Sequence, residues 1–141
     1  MHFDYENSTP EEIIKFLICQ NRGTQNFLSK DDMIQLGKER GLVFDNKDYS
    51  KEELYNALIT VYTPEELQTL GHAGVSSYHW QMKFNISKYS LKKMADSGFI
   101  KITGKERFRV AGKYRFAALY SAYDFCRLTA EDIDRWKKEK K

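Results

Sequence analysis

Eleven side chains between Ser87 and Arg115 have the chemistry to hold a polyanion. They are Ser87, Lys88, Tyr89, Lys92, Lys93, Lys101, Lys105, Arg107, Arg109, Lys113 and Arg115. Hydroxyls, ammonium groups and guanidinium groups donate to phosphate oxygens, and the cations also neutralise phosphate charge. From Lys101 to Arg115 there are six basic residues against one acidic residue, Glu106, a net of +5. That density over a short span suits phosphates repeating along a nucleic-acid strand.

Two elements must position these groups. The first is a helix from Ser87 to Ser97, N-capped by Ser87 and ended by Gly98. Leu91, Met94 and Ala95 share one face, while Tyr89, Lys92, Lys93 and Asp96 lie on or near the other. The second element is a set of short strands. Ile100 and Ile102 alternate with Lys101 and Thr103, and Thr103-Gly104-Lys105 signals a turn. Phe108 and Val110 then point one way, Arg107 and Arg109 the other. Ala111-Gly112-Lys113 signals another turn, and Tyr114 and Phe116 flank Arg115 on a third strand. The competing reading is an ordinary solvated helix beside an edge hairpin whose charge deters aggregation.

The run from Tyr78 to Leu128 resembles a winged helix-turn-helix of the MerR and phage-excisionase type. The likeness rests on FNISKYSLKKM, DSGFIKI, RFRVAGKYRF and LYSAYDFCRL. It implies duplex DNA as ligand and a role as transcriptional regulator or accessory factor of a phage or mobile element. By that likeness Ser87, Lys88, Tyr89, Lys92 and Lys93 face the major groove. Arg107, Arg109, Lys113 and Arg115 reach backbone or minor groove. The family has one short wing after its recognition helix, whereas this chain shows turn signals at both Gly104 and Gly112. The likeness also makes Ser121–Arg127, ambiguous on its residues alone, a short helix.

Five helix starts are legible as caps. Thr9-Pro10-Glu11-Glu12, Ser50-Lys51-Glu52-Glu53 and Thr63-Pro64-Glu65-Glu66 have the capping-box pattern, and Ser29-Lys30-Asp31-Asp32 and Thr129-Ala130-Glu131-Asp132 are similar. Their acidic pairs are explained by the positive end of the helix dipole. Asn21-Arg22-Gly23 stops the first helix and Gly41 the second. Val75 to Lys83 reads as the helix before the reading helix, capped by Ser76 or Ser77. Trp80 and Phe84 sit four apart on it, spaced to pack together. Ile133 and Trp136 point inward from the last helix, and Lys137–Lys141 is a solvated tail.

The segment from Ser29 to Ile59 resembles the SAP and HeH/LEM-like helix-extended-loop-helix group, through Arg40-Gly41-Leu42, Lys51 and Glu53-Leu54. Members of that group bind DNA or other proteins. Residues 1–60 carry 7 Lys+Arg against 11 Asp+Glu, and residues 61–141 carry 16 against 9. The acidic half suits a protein partner better than a phosphate backbone. The expected architecture is therefore mainly α with a small antiparallel β-sheet, a helical domain over 1–62 and a winged helix-turn-helix domain over 63–141. The alternative function is a protein–protein adaptor or inhibitor on the same scaffold, since fold does not fix function.

The chain has 141 residues, 41% hydrophobic and 14% aromatic, enough for a core. No apolar run nears the roughly 18 residues of a membrane span, and residues 1–6 lack a signal-peptide pattern. A cytoplasmic protein with no membrane partner is expected. Cys19 and Cys126 read as small hydrophobes. His72 and His79 have no ligand cluster around them, and no nucleotide-loop, zincin or nucleophile-elbow motif occurs. No cofactor, no metal and no catalysis is expected.

Overall fold

The computed structural model describes residues 3–20 and 27–139. In chain order the elements are α1 (Pro10–Cys19), α2 (Lys30–Glu39), α3 (Lys51–Leu58), α4 (Pro64–Leu70), β1 (Val75–Ser76), α5 (Ser77–Phe84) and α6 (Lys88–Asp96). They continue as β2 (Ile102–Val110), β3 (Lys113–Tyr120), α7 (Ala122–Arg127) and α8 (Ala130–Glu139). The three strands form one antiparallel sheet in the order β1-β3-β2. The protein is thus mainly α with a small antiparallel sheet. No helix among the described residues is long and apolar enough to cross a membrane. The expected stop at Asn21-Arg22-Gly23 and the end of the tail, Lys140-Lys141, lie outside the described residues.

All five caps form. Thr9, Ser29, Ser50 and Thr63 each accept from the backbone three residues on, and Glu12, Asp32, Glu53 and Glu66 reach back. Thr129 and Asp132 make the same reciprocal pair. Each cap contributes about 1 kcal/mol. The backbone N–H of the cap residue holds the Glu12, Glu53, Glu66 and Asp132 carboxyls below their ordinary range.

Helix α1 explains its own wide apolar arc. Ile13, Ile14, Leu17 and Ile18 are all buried, because α1 packs against α3, α4 and α7 at once. One hydrophobic core joins these residues to Leu54, Leu67 and Phe125, so packing is continuous across Tyr62. A buried polar link crosses the same seam: the Ala122 N–H donates to Gln68 Oε1 at 2.8 Å. Trp80 is fully buried, with its ring centroid 5.4 Å from Phe84, 5.9 Å from Tyr120 and 5.3 Å from Phe125. The spacing of Trp80 and Phe84 does therefore bring the rings together, and their cluster locks α5 against both β3 and α7. Cys19 and Cys126 are free and half-buried, and burial pushes both thiols up in pKa.

The structure corrects the strand reading in three places. Residues 102–110 form one strand, with no turn at Thr103-Gly104-Lys105. Instead the register shifts between Ile102 and Gly104, which face Tyr120 and Leu119 on β3. The extra residue, Thr103, turns inward and donates its hydroxyl to the Ala73 carbonyl at 2.6 Å. Gly104 serves close packing, since a Cβ there would collide with the His72 carbonyl. Secondly, Ile100 and Ile102 do not share a face. Ile100 is buried at the end of α6, with its N–H directed to the Met94 carbonyl, whereas Ile102 is exposed. Thirdly, Val75-Ser76 is a strand rather than a helix start, because it pairs with Leu119-Tyr120. Ser76 is the N-cap position of α5, without a side-chain hydrogen bond.

The single hairpin closes at Ala111-Gly112, with φ of 51° and 80°. Positive φ at both loop residues is the pattern of a type I′ turn, which follows strand twist. Alanine is strained there by about 1 kcal/mol. Ala111→Asn is expected to raise stability by roughly 0.5 kcal/mol, since asparagine tolerates this region. A shift of the urea midpoint at unchanged slope is the readout.

Candidate nucleic-acid interface

Helix α6 presents its polar face because its apolar face is taken. Leu91 and Met94 are buried and Ala95 is half-buried. The chain enters α6 from α5 through Asn85, whose φ of 53° reverses direction, and through the buried Ile86. Ser87 caps α6, its Oγ accepting from the Ser90 N–H at 3.1 Å. Gly98, at φ 83°, releases the chain at the other end. Lys88, Tyr89, Lys92 and Lys93 are left in solvent. The Lys93 ammonium lies 4.6 Å from the centre of the Tyr89 ring.

The hairpin distributes its cations by strand parity. Arg107 faces Phe116 and Arg109 faces Tyr114 across the ladder, whereas Val110 faces Lys113 and Glu106 faces Ala117. Facing residues share a side of a sheet. One side therefore carries Lys105, Arg107, Arg109, Tyr114 and Phe116. The other carries Lys113 and Arg115 with Glu106 and Val110. The register thus divides Arg107 and Arg109 from Lys113 and Arg115. The side chain of Phe108 lies outside the described residues.

At its base the Arg107 side continues into Tyr120, which is buried against Trp80 of α5. The Lys113 side continues into Leu119, beside Leu17 and Tyr5. Lys105, Arg107 and Arg109 thus share their side of the sheet with Tyr120, which packs on Trp80 of α5. The Arg107 guanidinium sits 4.6 Å from the Tyr114 ring centre and that of Arg109 5.9 Å. Lys101 joins this region from below. Its backbone N–H donates to Asp124 Oδ2 at 2.8 Å, and its side chain lines an open depression of about 620 Å³ with Thr69, His72, Thr103 and Lys105.

Charge pairing sets the candidate cations apart from most of those in the N-terminal half. Lys15, Lys30, Arg40 and Lys47 each pair with a carboxylate at 2.9–3.9 Å. Lys51, the lysine of the SAP-like motif, is buried, and its ammonium donates to the Ile18 carbonyl at 3.4 Å. Burial lowers its pKa, and its ammonium is turned inward, away from the surface. By contrast Lys88, Lys92, Lys93, Lys101, Lys105, Arg107, Arg109, Lys113 and Arg115 make no ion pair among the described residues. No group of three or more metal-ligating side chains occurs among the described residues either.

Tyr89, expected on the polar face of α6, is 68% exposed, but sequence reasoning missed Tyr114 and Phe116, which are 60% and 65% exposed. Alternation sets them on one face of the strand, and at Tyr120 that face is inward. The strand then outruns the core. Its length, from Lys113 to Tyr120 without a break, was the available signal.

Comparison of the chain with protein-family models, with curated proteins and with solved structures finds no match.

Proposed function

We propose that the protein binds double-stranded DNA as a winged helix-turn-helix, with α6 in the major groove and the β2–β3 hairpin as its wing. The role this best fits is a regulator or accessory factor of a phage or mobile element. The helical residues 1–62, SAP/HeH-like, form the platform. The observation that carries the reading is the set of nine cations on α6, the hairpin and Lys101, none with a carboxylate partner among the described residues, in a chain whose N-terminal cations are largely paired. Unpaired cations arrayed on a helix and an adjoining ribbon supply the electrostatic part of duplex affinity. The order α5, tight turn, α6, hairpin supports the groove assignment.

Changing Lys92 and Lys93 together to alanine tests the helix. Duplex affinity in a fluorescence-polarisation titration is expected to fall about tenfold, with a shallower salt dependence. Unchanged affinity removes α6 from the interface. The adaptor reading has one observation in its favour. Leu36, Tyr62 and Leu70 floor an open depression of about 620 Å³ rimmed by Glu39, Glu65 and Glu66, with Arg40 paired to Glu66 at 2.9 Å. An acidic rim over an apolar floor suits a basic protein segment. A partner captured equally well after nuclease treatment would favour that role over DNA.

A further inference from the structure

Duplex binding through phosphates accounts for the cations but not for the rings beside them. Tyr114 and Phe116 lie on one side of β3, about 7 Å apart along the strand. Both are more than half exposed. Across the ladder each faces an arginine rather than an apolar residue. The Arg107 and Arg109 guanidinium groups gather around Tyr114 instead. The ring thus steers cations toward the surface where it is itself open. Phosphate neutralisation needs no aromatic ring, while a base face does. Bases inside a duplex are already stacked on one another. The ligand that uses both rings and cations is therefore a strand whose bases are unpaired.

Resting on the duplex-binding reading, we propose that the Tyr114–Phe116 side of the hairpin stacks unpaired bases, so that the preferred ligand is a duplex continuing into a single strand. Helix α6 holds the paired portion. Arg107, Arg109 and Lys105 hold phosphates at the end of the duplex and along the strand that continues from it, and Tyr114 and Phe116 take the unpaired bases. Stacking of this kind tolerates any base, because every base has a π-face.

The test uses the full chain and three probes of random sequence: a blunt duplex, the same duplex with a single-stranded tail of about ten nucleotides, and the tail strand alone. The tailed duplex is expected to bind on the order of tenfold tighter than the blunt one. Tyr114→Ala with Phe116→Ala should abolish that gain and leave blunt-duplex affinity within about twofold, whereas Tyr114→Phe with Phe116→Tyr should keep the gain. Equal binding of tailed and blunt duplex by the unaltered protein overturns the proposal and leaves the duplex reading standing. So does a loss that falls equally on both probes in the double-alanine variant. Equal binding of the tail strand and the tailed duplex, with none of the blunt duplex, removes the duplex reading and with it the preference for a duplex that continues into a strand. Capture of a protein by this face, with no oligonucleotide bound, overturns both.

Discussion

Replacing Gly104 with alanine is expected to destabilise the protein by about 3 kcal/mol or more. At Gly104 a Cβ would stand inside the contact distance of the His72 carbonyl oxygen, and the carbonyl carbon and Cα of His72 lie behind it. These are backbone atoms, so no rotamer change relieves the clash. His72 cannot easily retreat. Its own φ is 52°, and the next residues are tied down, with the Ala73 N–H on the Gln68 carbonyl at 2.9 Å and the Ala73 carbonyl accepting from Thr103. Gly74, two residues on, is crowded as well, a Cβ there meeting Thr103 Oγ1 at 2.5 Å and Leu119 and Tyr120 at 2.9 Å. Relief must therefore come from moving β2, which would break the β2–β3 ladder. A fall in melting temperature of about 10 °C is expected. Gly98→Ala is the control: its φ is 83° but nothing stands within 4 Å, so its cost should stay near 1 kcal/mol. Equal melting temperatures for the Gly104 variant and the unaltered protein would show that this seam is looser than described.

Duplex affinity is expected to fall about a thousandfold between roughly 50 and 200 mM salt. The argument counts charges. Nine cations on α6, the hairpin and Lys101 lack carboxylate partners among the described residues. If about six of them meet phosphates, the plot of log affinity against log salt has a slope near −5. Pair replacements then locate the contact side of the hairpin. Arg107→Ala with Arg109→Ala should make the slope shallower by about two. Lys113→Ala with Arg115→Ala should change it less, because strand parity sets those two on the side opposite Arg107, Arg109 and Lys105. An affinity that is flat in salt contradicts phosphate contact altogether. A slope moved only by the Lys113 and Arg115 pair would place the DNA on the other side of the hairpin.

The features legible in the sequence were local ones. Thr9, Ser29, Ser50, Thr63 and Thr129 were readable as caps because each bond closes within three residues. Helix α6 was bounded by Ser87 and Gly98 for the same reason, since its start and stop are set by residues in or next to its terminal turns. Gly104 shows the limit. Glycine marks a turn and a tight approach equally well, and the group it approaches, His72, is thirty-two positions earlier. The two-residue strand Val75-Ser76 was invisible because its partner lies beyond residue 118.

From residue order alone came the helix starts, the basic character of the second half, and the two stretches that carry the candidate site. Those depend on side chains and backbone a few bonds apart, whose energetics need no partner. Folding in three dimensions settled which cations stand together. It turned Lys51 inward, divided the hairpin's basic residues between two sides, and left Tyr114 and Phe116 in solvent beyond the reach of the core. Burial and register are properties of contacts between distant segments, and no window of sequence contains both members of such a pair.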